Sequence, residues 1–101
     1  MFARVSVFKG SGEAFDEAVK NAQEEILPAL RKWDGFEGAL FLADRSTGRS
    51  LAITLWATED TLRSSADAAT QMRDETAARY DEEIVAVEEY DIVIDERGEP
   101  R

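Results

Sequence analysis

From Ala3 to Phe8 the chain alternates Ala3, Val5 and Val7 with Arg4, Ser6 and Phe8. A period of two sends these sets to opposite faces of a strand. Gly10-Ser11-Gly12 breaks the pattern, and Glu13, Asp16 and Glu17 then suit the positive end of a helix dipole. From Phe15 onward, Ala18, Val19, Ala22, Ile26, Leu30 and Trp33 recur at steps of three and four, which predicts an amphipathic helix to about Trp33. Pro28 lies inside it. A proline removes one backbone donor and crowds the preceding turn, so a kink or break is expected near Glu24 or Glu25. Asp34-Gly35 ends the helix.

Two further alternating runs follow, Phe36 to Ala43 and Arg49 to Trp56. Asp44-Arg45-Ser46-Thr47-Gly48 between them has the residues of a short hairpin loop, with Gly48 free to take a positive φ. The two strands should therefore be antiparallel. Thr58 is placed to cap a helix beginning at Glu59-Asp60, whose apolar or small face reads Leu62, Ala66, Ala69, Met72, Thr76 and Tyr80. Asp81-Glu82-Glu83 is an acidic break. Ile84 to Ile94, rich in β-branched residues, closes the pattern as a last strand, and Asp95 to Arg101 reads as a frayed tail.

The order strand, helix, strand, strand, helix, strand predicts an α+β, ferredoxin-like βαββαβ fold. It has a four-stranded antiparallel sheet with two helices on one face. The aliphatic set Val5, Val7, Leu40, Leu42, Ile53 and Leu55 is the natural choice for the side the helices cover. The other side would then carry Arg4, Ser6, Phe8, Ala39, Phe41, Thr54, Trp56, Glu88 and Tyr90. Such a face is too apolar to stay wet. Burying its aromatics, at ~150 Å² or more each, is enough to drive self-association, so a second copy of the chain is the expected partner.

Composition narrows the chemistry. The 101 residues suit one domain and one core, so residues 1–101 are expected to form a single domain. No run approaches the roughly 18 apolar residues of a membrane span, and no signal-peptide core follows Met1, so a cytoplasmic address without membrane contact is expected. Without cysteine or histidine there is no disulfide, no thiolate nucleophile and no imidazole base or ligand. The 22 acidic residues against 12 basic ones give a net charge of −10, which repels nucleic acid. No metal site is expected, because no loop shows the alternating acids and central glycine of a calcium site and charge runs are usually solvated faces.

The run from Gly38 through Leu40, Leu42, Asp44, Gly48, Leu51, Ile53 and Trp56 to Asp60 resembles the hairpin of the antibiotic-biosynthesis-monooxygenase-like dimeric α+β barrel proteins. Glu25-Ile26-Leu27-Pro28-Ala29-Leu30, followed by Asp34-Gly35-Phe36, is similar to the same family. The resemblance implies a homodimer with facing sheets, outer helices and cavities for small, often aromatic, molecules. It also implies cofactor-free oxidation of polyketide-type quinols as one activity and haem degradation as another. The haem-degrading branch relies on a histidine ligand and a tryptophan on the second helix. This chain has no histidine and carries Ser64, Ser65 and Ala66 there, so haem degradation is not expected.

The candidate ligand-binding residues are Arg4, Ser6, Phe41, Thr54, Trp56 and Tyr90. Arg4 either pairs with Glu88 across the sheet or binds an anion. Trp56 either packs or roofs a pocket. Ser6 and Thr54 either bond each other or share a ligand. No cofactor is expected and no residue stands out as a general base, so the catalytic residues are unassigned. Three functions remain: a cofactor-independent monooxygenase of an aromatic metabolite, a non-catalytic dimerisation or ligand-binding module, and an acidic protein that captures a basic partner. The pocket lies either between sheet and helices or between two sheets.

Overall fold

The computed structural model describes residues 1–97. Its elements are β1 (Phe2–Lys9), α1 (Phe15–Asn21), a π-helical segment (Ala22–Ile26), α2 (Leu27–Leu30), β2 (Phe36–Asp44), β3 (Arg49–Trp56), α3 (Glu59–Ser64), α4 (Ala66–Arg79) and β4 (Glu83–Asp91). The strands form one antiparallel sheet in the order β2-β3-β1-β4, the ferredoxin-like arrangement, with β1 and β3 at its centre. The last strand is shorter than expected and ends at Asp91. Residues 95–97 carry no regular structure, and the rest of the expected frayed tail lies outside the described residues. Among the described residues, no helix is long and apolar enough to cross a membrane.

Local chemistry explains each break. Pro28 sits in the first turn of α2 and cannot donate a backbone hydrogen bond. The preceding turn widens to π geometry, with the Leu27 N–H reaching back to the Ala22 carbonyl. The irregularity falls where the proline predicts it. The helix then stops at Leu30, so Trp33 belongs to the turn after it. Thr58 and Thr61 form a reciprocal capping box at the start of α3, and the second helix is interrupted at Ser65. At the hairpin, the Ser46 N–H donates to Asp44 Oδ1 (3.0 Å) and Gly48 adopts φ +77°. Its carbonyl accepts from the Gly10 N–H at 2.9 Å, which ties the hairpin to the end of β1.

The register assigns every strand residue to a face. One face carries the cross-sheet rows Leu40-Ile53-Val5-Glu88 and Leu42-Leu51-Val7-Ala86, with Leu55-Ala3-Tyr90 beside them. The other carries Ala39-Thr54-Arg4-Glu89, Phe41-Ala52-Ser6-Val87 and Ala43-Ser50-Phe8-Ile84. Arg4 bonds to α3 and Ser65, and Arg73 of α4 reaches Ser6, so the helices cover the second, mixed face. This reverses the assignment expected from hydrophobicity. The aliphatic face is the open one, with Leu40 53%, Leu42 47% and Tyr90 52% exposed. Pairing β1 with β4 also opposes Arg4 to Glu89, so the expected Arg4–Glu88 partnership is replaced by an Arg4–Glu89 one.

Candidate functional site

Arg4 enters from the centre of the sheet and is 3% exposed. Its Nε donates to Glu89 Oε2 at 3.1 Å, its Nη1 to Ser65 Oγ at 3.1 Å and its Nη2 to the Leu62 carbonyl at 2.7 Å. The interruption at Ser65 is what presents these acceptors, because the Ser65 hydroxyl and the Leu62 carbonyl meet there at 2.8 Å. The guanidinium also stands 5.6 Å from the Trp56 ring centroid. A buried cation is tolerable only with such a set of partners. Pairing is thus its main role: its Nη2 also stands 3.0 Å from Glu89 Oε2, which leaves one Nη1 hydrogen beyond these contacts.

Trp56 is fully buried and anchors an aromatic cluster. Trp33 stacks on it with centroids 6.3 Å apart, Phe36 meets it edge-on at 5.8 Å, and its Nε1 donates to Thr54 Oγ1 at 2.9 Å. Both tryptophans of the chain therefore stand at one place. Beside them lies a cavity of about 370 Å³ between the mixed face and the helices. Ala18, Ala22, Ala52 and Ala69 line it, and their small side chains leave the space that larger residues would fill. Phe41, 40% exposed, and Val19 stand in the same wall, where the cavity reaches solvent.

Five of the six expected ligand residues, Arg4, Ser6, Phe41, Thr54 and Trp56, line this cavity. Tyr90 does not join them: it lies on the open face, beside Ala3. Its phenol pKa is raised above 10.0 by the neighbouring Glu88 charge, so it stays protonated at neutral pH.

Two lining residues escaped the sequence pattern. Arg73 follows Met72 on α4, its Nη2 donates to Thr70 Oγ1 at 3.1 Å, and its Nη1 stands 3.5 Å from Ser6 Oγ. It makes none of the salt bridges among the described residues. Burial, and then the Arg4 charge, lower its pKa below the usual guanidinium value. The spacing Ala69, Met72, Arg73, Thr76 is the signal that was available, an arginine on the inward stripe. The second residue, Glu82, also lines the cavity, although Asp81-Glu82-Glu83 reads in the sequence as an acidic break. Burial raises its carboxyl pKa, while the Ser50 hydroxyl beside it favours the charged form.

The same architecture occurs in solved proteins. A protein of Deinococcus radiodurans assigned to the antibiotic biosynthesis monooxygenases superposes over 97% of this chain and 100% of its own, at a TM-score of 0.71 and 18% identity. A Streptomyces coelicolor monooxygenase in complex with nanaomycin D matches 99% of this chain and 92% of its own, at 0.67 and 16%. This chain has the fold of the antibiotic-biosynthesis-monooxygenase-like superfamily. A haem-degrading protein of Mycobacterium tuberculosis, solved with two haems in its active site, shares that fold over 96% of this chain and 100% of its own (TM-score 0.69, 16% identity). No family model matches the sequence. Among curated proteins, two uncharacterised proteins of Mycobacterium tuberculosis are similar, one 30% identical over 92 residues and one 29% identical over 100. These matches take in 91% and 99% of this chain, which spans about two fifths of the length of those relatives (41% and 42%).

Proposed function

We propose that the chain is a single domain that pairs with a second copy through its aliphatic face. In the cavity between sheet and helices it binds a small aromatic or polyketide-type molecule bearing an oxygen function, and oxidises it without a cofactor. The observation that carries this reading is the cavity itself: an aromatic and alanine-rich wall with Arg73 held at its edge by hydroxyls rather than by a carboxylate. Apolar walls with a few convergent polar groups are the common form of small-molecule sites. A guanidinium with spare donors suits a phenolate or carbonyl oxygen. The D. radiodurans and S. coelicolor neighbours with this fold support oxidation as the reaction class.

A non-catalytic binding module is the second reading. It is favoured by Arg4, most of whose donors are engaged by Glu89, Ser65 and Leu62.

Anthrone, a three-ring aromatic ketone, tests both readings. Because Trp33 and Trp56 line the cavity, bound anthrone is expected to quench the intrinsic fluorescence. In air, consumption of dioxygen with formation of anthraquinone and water marks an oxygenase; quenching without turnover marks the binding module. Unchanged fluorescence at saturating anthrone overturns the cavity reading.

A further inference from the structure

Glu82 is positioned by backbone geometry rather than by a charged partner. At the end of α4, Asp81 adopts φ +52°, and the Glu82 N–H donates to the Ala77 carbonyl at 2.8 Å. This closure reverses the chain from helix into β4. It turns Glu82 inward while Asp81 and Glu83 on either side stay exposed. Glu82 lines the cavity beside Ser50, and Ser50 pairs with Phe8. Arg73 approaches the same sheet face at Ser6, two residues along β1 from Phe8. Arg4 and Arg73 are the other charged groups lining the cavity, and Glu82 forms no salt bridge with either among the described residues.

A carboxylate and a guanidinium that line one aromatic-walled cavity, anchored at different points of the same sheet face, can act on two positions of one conjugated ring system. We infer that Glu82 is the proton acceptor of the cavity, taking a proton from an aromatic ketone or phenol whose far oxygen faces Arg73. This inference rests on the ligand site proposed above and goes beyond it by naming the group that moves the proton and the substrate geometry it requires. For anthrone, the C–H bond of the ring methylene breaks and an O–H bond forms on the Glu82 carboxylate. The electron pair of that C–H bond passes through the ring to the carbonyl carbon, and the charge settles on the oxygen beside Arg73. No electrons leave the molecule. Returning a proton from solvent restores the ketone. Burial makes the Glu82 carboxylate a stronger base than an exposed one, which favours this step.

The test is exchange of the anthrone methylene hydrogens with deuterium oxide under nitrogen, followed by NMR, with tryptophan fluorescence recorded on the same samples. Wild-type protein is expected to accelerate exchange about tenfold or more over buffer. The rate should climb with pH through a limb above the usual carboxylate range. Glu82→Gln should abolish the acceleration and the limb while anthrone still quenches the tryptophans. Glu83→Gln, on the exposed neighbour, should change neither. Wild-type exchange no faster than buffer with quenching intact, or undiminished exchange in Glu82→Gln, overturns the role of Glu82 and leaves the ligand site standing. Absence of quenching in the wild type overturns the ligand site and this inference together.

Discussion

Arg4 on β1 pairs with Glu89 on β4, Nη2 to Oε2 at 3.0 Å, and the adjacent Glu88 projects from the other side of the sheet. The pair joins a buried guanidinium to a carboxylate that remains partly in water. Arg4→Ala removes bonds to Glu89, Ser65 and Leu62 together and should destabilise the protein by about 2–4 kcal/mol. Glu89→Gln should cost about 1–2 kcal/mol, because the half-exposed carboxylate is screened. Glu88→Gln should be nearly neutral. Urea titrations of the three variants give the ranking, and a larger loss at Glu88 than at Glu89 contradicts the observed register.

The open face predicts an oligomer. Val5 and Ile53 are cross-strand partners at its middle, flanked by Leu40, Leu42 and Leu51. Contiguous apolar surface of this kind is normally covered. Light scattering should show a dimer for the wild type and a monomer for Ile53→Lys, since a buried unpaired ammonium cannot be accommodated between two sheets. A monomeric wild type at micromolar concentration removes the second copy from the reading.

Arg73→Ala tests ligand recognition separately from folding. Its Nη1 contact with Ser6 is long, and its Nη2 bond is to Thr70 on its own helix, so the melting temperature should stay close to that of the wild type. Loss of a charge-assisted hydrogen bond, worth roughly 1.5–3 kcal/mol, should weaken anthrone binding about tenfold or more in the fluorescence titration. Unaltered affinity would place the ligand oxygen elsewhere in the cavity.

Glu82 also predicts a pH dependence of stability. Its folded-state pKa lies above the ordinary value of 4.5, because burial disfavours the carboxylate. The unfolded chain therefore releases this proton first as pH rises, and stability falls as pH increases through the folded-state value. Below 4.5 the side chain is protonated in both states and the penalty is absent. Glu82→Gln, which stays neutral, should melt above the wild type at pH 7, and the gap should close as pH is lowered towards 4.5. A gap that widens on acidification contradicts the direction of the shift.

Much of the architecture was legible because strand and helix periods are local properties. The break before Pro28, the Thr58 cap and the turn at Gly48 each follow from the covalent chemistry of one or two residues. Arg4, Ser6, Phe41, Thr54 and Trp56 could be grouped because β1, β2 and β3 preserve one alternation across their shared register. Tyr90 was misplaced for the complementary reason. The alternation within β4 is visible in the sequence, but its phase against β1 depends on which residues pair, and that pairing carries an irregularity between Val7 and Phe8.

The sequence by itself determined the element order, the two chemically distinct sheet faces and the absence of imidazole and thiol chemistry. Only the tertiary structure decided which face the helices cover, since alternation separates two faces without saying which way either points. Hydrophobicity suggested the aliphatic side. The helices instead lie over the mixed side, where Ser65 and the Leu62 carbonyl satisfy Arg4 and small alanines leave room for a cavity. The inward turn of Glu82 was likewise invisible in an acidic run. It arises from the left-handed backbone at Asp81 and the closing bond to Ala77, which redirect the chain at the end of α4.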